Sequence, residues 1–320
     1  MKIKKILYLI PLLIMLSGCS SSSDVRNKAF IKELGADFGA SELSVSLRTF
    51  GNDKDVVSGK GQTLLSAIGD CENTQSKNLF SGHLEVFASS PANIGNNLLA
   101  LLSNNRISPS CYVLCVAENA ADYIDSNGGR LSELIRSNGR NGVIMPQTIS
   151  DVLNDLLEGD EKAAVPTNKN DTLTMAVITP NELIGTLSED ESRGLCWLCG
   201  NVNDIYMPIE YDNSRSDFYI RKSSTVIKAE KSEDKIKITT EIKINGNSEG
   251  NTSNPEKEKT VVSKAVSSLC SRTIAKTVIG MKADLFGLEK TIRSAGLCKN
   301  MEWEEIIPIL EFSYKIKISQ

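Results

Sequence analysis

Apolar and polar residues alternate along much of this chain, and the alternation predicts short strands with helices between them. Leu43, Val45 and Leu47 alternate with Ser44, Ser46 and Arg48, the period-two pattern of a strand with one buried face. Phe30 to Phe38 predicts a partner strand, with Gly39-Ala40-Ser41 as the turn between them. Gly59 to Gly61 reads as a flexible loop, and Thr63 to Ile68 opens a short helix. Leu84 to Ala88 predicts a short strand. Pro91 fits the first turn of a helix carrying Leu98, Leu99, Leu101 and Leu102, which Asn104-Asn105 ends. Cys111 to Ala117 reads as a buried strand, followed by a helix over Ala120 to Ile124. Helices and strands mixed in this way predict a mixed sheet with helical cover.

A second unit is expected after a loop at Gly139 to Gly142. Thr148 and Asp151 have capping-box spacing, and Val152, Leu153, Leu156 and Leu157 line one helical face that stops at Gly159. Residues 160–171 read as a polar loop, with strands at Thr172 to Thr179 and Leu195 to Leu198. Further on, Ile236, Ile238, Ile242 and Ile244 alternate with Lys235, Lys237, Glu241 and Lys243. Residues 245–257 read as an exposed loop. Val262, Val266, Leu269, Ile274, Val278, Met281 and Leu285 then recur at near-helical spacing, and Phe312, Tyr314, Ile316 and Ile318 form a closing alternation. The fold class is α+β. The expected units are an N-terminal α/β domain at 28–140, a small middle domain at 141–205, and a C-terminal domain at 206–320 whose sheet is packed by a long amphipathic helix.

The first residues have a different character. Lys2, Lys4 and Lys5 precede the apolar run Ile6 to Leu16, which is shorter than the roughly 20 residues of a spanning helix. Leu16-Ser17-Gly18-Cys19 resembles the lipobox of bacterial lipoproteins. That resemblance implies a signal peptide at 1–18, lipidation of Cys19, and an acylated tether over 19–27 whose Ser20 to Ser23 lift a multi-domain ectodomain off the membrane. No later apolar run is long enough to span.

Without the three signal lysines the formal charge moves from −4 to −7, which gives no electrostatic case for nucleic acid. Aromatics are 5% of the chain, fewer than a sugar-binding surface usually shows. Seven cysteines follow Cys19, an odd number that cannot pair completely within one chain. Cys111 and Cys115 on one strand would stand about 13 Å apart, too far to bridge. Cys196 and Cys199 have redox spacing, yet they run into the turn signal Gly200-Asn201 instead of opening a helix, so they read as apolar packing.

Catalytic patterns are scarce. His83 is the only histidine, so any Ser-His or Cys-His couple would need it. Its place between a turn and an apolar strand fits a backbone-bonded imidazole better. There is no P-loop, no strand-borne GxGxxG and no paired CxxC for zinc. Neither a catalytic group, a metal nor a cofactor is expected.

Several segments in order resemble the C subunit of spore germinant receptors, the Ger(x)C lipoprotein family. Besides the lipobox, these are Phe30 to Phe38, Leu43 to Leu47, Gly61 to Ala67, and Leu79 to Val86 with its Gly82-His83 pair. Asp284, Phe286 and Gly287 follow the long helix, and Trp303 with Glu305 to Pro308 fits the region of the closing strand. The chain departs from the family in its shorter length, its seven later cysteines and a basic stretch reduced to Arg106. The resemblance implies an anchored binding and assembly component beside integral-membrane A and B subunits, on the outer face of the spore inner membrane, and not an enzyme. Gly82, His83, Asp284, Phe286 and Gly287 match family motifs; read as residues beside a helix end, Asp284 is expected as a cap, Phe286 as core and Gly287 as a positive-φ turn. Two rivals remain: a solute-binding lipoprotein of a transporter, and a thiol oxidoreductase using Cys196 and Cys199.

Overall fold

The computed structural model describes residues 28–319 except 39–41, 76, 93, 104–106, 118, 158–160, 170–171, 212–213 and 250–253. The signal segment, Cys19, the turn at 39–41, Asn104-Asn105, Arg106 and Gly159 lie outside the described residues. Among those described, nine strands make a first sheet: β1 (Lys28–Phe38), β2 (Leu43–Thr49), β3 (Asn52–Gly61), β4 (Asn78–Phe80), β5 (Val86–Ser89), β6 (Tyr112–Cys115), β7 (Ala163–Lys169), β8 (Thr172–Ile178) and β9 (Leu183–Thr186). Their order is β3-β2-β1-β5-β6-β7-β8-β9, with β4 beside the start of β1. The centre, β1-β5-β6-β7, is parallel, and both flanks are antiparallel. Parallel strands need both faces covered, and they are. Phe87, Val113, Cys115 and Val165 face a layer of α1 (Leu64–Gln75), α2 (Ile94–Ser103) and α5 (Ile149–Leu157). Val86, Leu114, Val116 and Ala164 face α3 (Ala120–Asn127) and α4 (Leu131–Arg140) on the other side.

The second sheet runs β10-β11-β12-β13, from β10 (Asn203–Tyr211), β11 (Ser214–Ser232), β12 (Lys235–Glu249) and β13 (Leu310–Ser319). The last pair is parallel and the others antiparallel. Helix α7 (Pro255–Ile274) packs Val262, Val266 and Cys270 on Ile238, Ile242 and Ile244. Helix α6 (Glu189–Leu198) lies between the lobes, with Leu195 in the first core and Cys196, Trp197 and Leu198 in the second. This is the α+β class expected from sequence.

Several expected elements differ. Gly59–Gly61 is the end of strand β3 and not a loop, because it pairs with β2 from Leu43 to Val45. Pro91 stands in the turn before α2. Helix α4 runs through Gly139 to Arg140, so the expected loop begins later. Residues 163–169, expected as loop, form β7, which enters the sheet between β6 and β8. Leu195–Leu198 is helical, closing α6 behind a Ser188–Glu191 capping box. Residues 245–249 extend β12, and the next helix starts at Pro255. The regular α-helix ends at Ile274 and widens into a π turn at Ala275–Gly280, so Met281 and Leu285 lie beyond it. Trp303–Ile306 is a helical turn, α9, ahead of β13. The stretch 141–205, expected as a unit of its own, supplies α5 and β7 to β9 to the first lobe.

Buried charges on β1 and β2 hold α3 and α4 in place. Asp37 accepts from Ala121 N (2.9 Å) at the start of α3. Arg48 donates to the carbonyls of Ile124 (3.0 Å) and Asp125 (2.8 Å) at its end. Glu33, fully buried, accepts from Gly129 N and Leu131 N, and Lys32 donates to Gly129 O (2.6 Å). Burial raises the Glu33 carboxyl above its ordinary value, against the lowering effect of those two N–H groups. Replacing Glu33 by Ala leaves two buried donors without a partner. The expected cost is about 2–3 kcal/mol in the free energy of unfolding by urea. A loss within the scatter of surface substitutions would remove this network from the framework.

Candidate functional site

The residues singled out by sequence fall at two separate places. Asp284, Phe286 and Gly287 lie where the lobes join. Lys282 has a positive φ of 54°, which turns the chain sharply out of the π turn. Its carbonyl accepts from Lys162 Nζ (3.1 Å), beside β7, and from Trp303 Nε1 (3.1 Å), the indole of α9. One oxygen thus ties together three distant parts of the chain. Asp284 then accepts from Phe286 N (3.3 Å), Leu288 N (2.9 Å) and Glu289 N (2.7 Å). The last two amides open α8 (Leu288–Ser294), whose N-cap position is Gly287, so the Asp284 carboxylate caps the helix from three residues upstream. Gly287 has a φ of 74°, a conformation that costs glycine little, and Phe286 packs against both cores. Arg293, held by Glu289, donates to the carbonyls of Cys298 (3.1 Å), Lys299 (3.4 Å) and Met301 (3.0 Å). This junction borders a cleft of about 870 Å³, with Asp155 and Lys162 on one wall and Arg293, Glu302 and Glu304 on the other.

Gly82 and His83 sit at the far end, in the turn before β5. His83 is exposed, and its ring stands 5.4 Å from Phe30 and 5.9 Å from Phe80. Lys28 Nζ lies 5.4 Å over the Phe80 ring. The structure places His83 in an aromatic corner and not beside either cysteine of the Cys196–Cys199 pair. Among the described residues no group of three or more His, Cys, Asp or Glu could hold a metal ion.

Cys196 and Cys199 close α6 instead of opening it, so they meet the negative end of the helix dipole. Cys199 Sγ is 3.8 Å from the Leu285 carbonyl. Burial pushes the thiols of Cys71, Cys115, Cys196 and Cys270 up to about 12, and those of Cys111 and Cys199 up as well. All seven cysteines among the described residues are free thiols. Sequence reasoning missed Lys162 and Arg293 and read Trp303 only as part of the closing-strand region; their donors meet backbone oxygens, the Lys282 carbonyl among them, that no side-chain motif announces.

Residues 25–169 match the family described as spore germination protein N-terminal domain, and residues 174–319 match spore germination B3/GerAC like, C-terminal. Spore germination protein B3 of Bacillus subtilis (strain 168) is 24% identical over 256 residues, which cover 68% of this chain and 67% of that protein. The crystal structure of the GerBC protein has the same fold, with a TM-score of 0.60 at 20% identity, covering 90% of this chain and 97% of that one.

Two outcomes are expected. Asp284→Ala frees the Phe286 amide and the first two amides of α8 and lowers stability by about 1–2 kcal/mol, read by chemical denaturation. Unchanged stability would mean the turn holds without its cap. The raised thiols also set an alkaline limit. Above the ordinary thiol value of 9.0 the unfolded chain gives up protons that the folded chain keeps, so stability falls as pH rises from about 9 toward 12. Urea midpoints measured across that window test this. A flat profile, or a Cys196 thiol that alkylates rapidly at neutral pH, would contradict it.

Proposed function

The chain belongs to the spore germination B3/GerAC-like family, and from that premise we propose that it is the lipid-anchored C subunit of a nutrient germinant receptor. Its role is in spore germination. Acyl chains on Cys19 hold it to the outer face of the spore inner membrane, where it docks with integral-membrane A and B subunits. It works there as a binding and assembly component, without chemistry of its own.

One observation carries this reading: the two family halves follow one another over nearly the whole chain, at 25–169 and 174–319. Other features fit it. Among the described residues no helix is long and apolar enough to cross a membrane, as suits a chain held by an anchor. The charged groups of the framework are committed to helix ends and chain turns. The buried thiols are protonated at neutral pH, against the thiol oxidoreductase reading. A solute-binding lipoprotein closes two similar lobes around its ligand, and here the lobes are unlike: a sheet covered on both faces and a four-stranded sheet with one helical layer. Gly82, His83, Asp284, Phe286 and Gly287 are framework positions in this proposal.

The test is germination of spores lacking the gene, followed by optical density after single nutrient germinants are added. Complementation uses the wild-type gene and Cys19→Ala. Loss of response to a subset of germinants, restored by wild type alone, is the expected outcome. A normal response after paralogous receptor genes are deleted as well would overturn the proposal.

A further inference from the structure

The charge of this acidic chain is unevenly placed. Residues 20–205 carry a net −10 and residues 206–320 a net +3. The positive excess gathers on one surface. In the second sheet, Ile238, Ile242 and Ile244 of β12 face α7, so the alternate residues face away from it. Cross-strand register brings Lys222 and Lys228 of β11, Lys237 and Lys243 of β12, and Lys315 and Lys317 of β13 onto that outer face. Glu230, Glu241 and Glu311 are the carboxylates among these rows, and Asp217 opposite Glu249 stands at the far end of β11 and β12. Between these ends, the row Ser224–Lys243–Lys317 and the row Lys222–Asn245–Ser319 contain no carboxylate.

Lys243 and Lys317 stand directly opposite each other across β12 and β13. Like charges in that position cost stability, so folding does not account for them. The field is visible at Glu241, whose carboxyl is held below its ordinary value by the hydrogen bond from Lys228, with Lys317 and Lys315 adding to it.

We propose that this outer sheet face lies against the anionic headgroups of the membrane that carries the anchor. The proposal rests on the membrane placement given above. Eight residues lie between Cys19 and Lys28, so the tether spans about 30 Å at most and keeps the body near the lipid surface. Near such a surface the strongly acidic lobe is repelled and the basic face is drawn in. The chemistry of the face favours lipid over a protein partner. Its cations in register are all lysines, point charges on flexible stems that suit a fluid layer of phosphates. Protein interfaces are depleted in lysine and use aromatic and arginine anchors, whereas the cross-strand rows that hold these lysines carry no aromatic ring; Tyr219 of β11 lies beyond them, opposite Asn247 and bonded to Asp204.

The experiment is lysine-reactive footprinting of the full chain on vesicles, read by mass spectrometry. Vesicles of phosphatidylcholine with phosphatidylglycerol are compared with phosphatidylcholine alone. Labelling of Lys222, Lys243, Lys315 and Lys317 is expected to slow by about fivefold or more on the anionic vesicles. Lys77, Lys264 and Lys299, exposed elsewhere, serve as controls and stay unchanged. The protection disappears at about 1 M salt, where the Debye length is about 3 Å. Lys222→Glu, Lys243→Glu and Lys317→Glu together abolish it at Lys315, and the corresponding glutamine set repeats the test should the charge reversal unfold the sheet. Equal labelling on both vesicles, or equal protection of the controls, would overturn the proposal. Intact mass reports acylation at Cys19 separately, so failure of the anchor and failure of the face are distinct results.

Discussion

Helix α6 is the constraint on which the rest of the structure depends. Its carboxyl half is enclosed on all sides: Leu195 packs in the first core, while Cys196, Trp197 and Leu198 pack in the second. Its amino end is fixed by the Ser188–Glu191 capping box, and Ser192 Oγ accepts from Met175 N (3.0 Å) on β8. On the opposite side Thr273 of α7 donates to the Glu191 carbonyl (2.7 Å). The crossing is close enough to require Gly194, where any Cβ would overlap the Leu269 carbonyl and the Thr273 hydroxyl. The Lys282–Gly287 turn reinforces the same seam from outside, through Lys162 and Trp303. Helix α6 and this turn make one body of two unlike lobes.

That enclosure also explains what was legible in the sequence. Strands β2, β12 and β13 have one buried face, so their alternation announced them. Leu195–Leu198 was expected as a strand because a helix buried all round shows no amphipathic period, and four apolar residues in a row do not separate helix from strand. Strand β7 was missed because Pro166, Asn168 and Lys169 interrupt its apolar run. Strands β10 and β11 were missed because much of their length is exposed and polar. Of the motif residues, Asp284 and Gly287 were readable as cap and turn, since a short acid and a glycine beside a helix have few other uses. The partners of that turn act through backbone oxygens and left no sequence signal. Cys19 lies outside the described residues, so its reading stays with the lipobox pattern.

The same physical logic joins fold and role. Asp37, Arg48, Glu33 and Asp284 spend their charge on helix ends, and burial keeps the thiols neutral. What the chain offers outward is shape and field: an acidic lobe continuous with the proposed tether, and a basic sheet face on the second lobe. A rigid seam between them lets a contact made by one lobe fix the position of the other. That property suits a component whose work is to hold partners in register.

Calorimetry of the wild-type chain and of Gly194→Ala tests the seam most directly. If α6 unites the lobes, the wild type unfolds in one cooperative transition. Gly194→Ala then either lowers that transition by several degrees or splits it in two, as the lobes lose their common helix. A Gly194→Ala chain that melts as the wild type does, or a wild type whose lobes melt independently, would contradict the account.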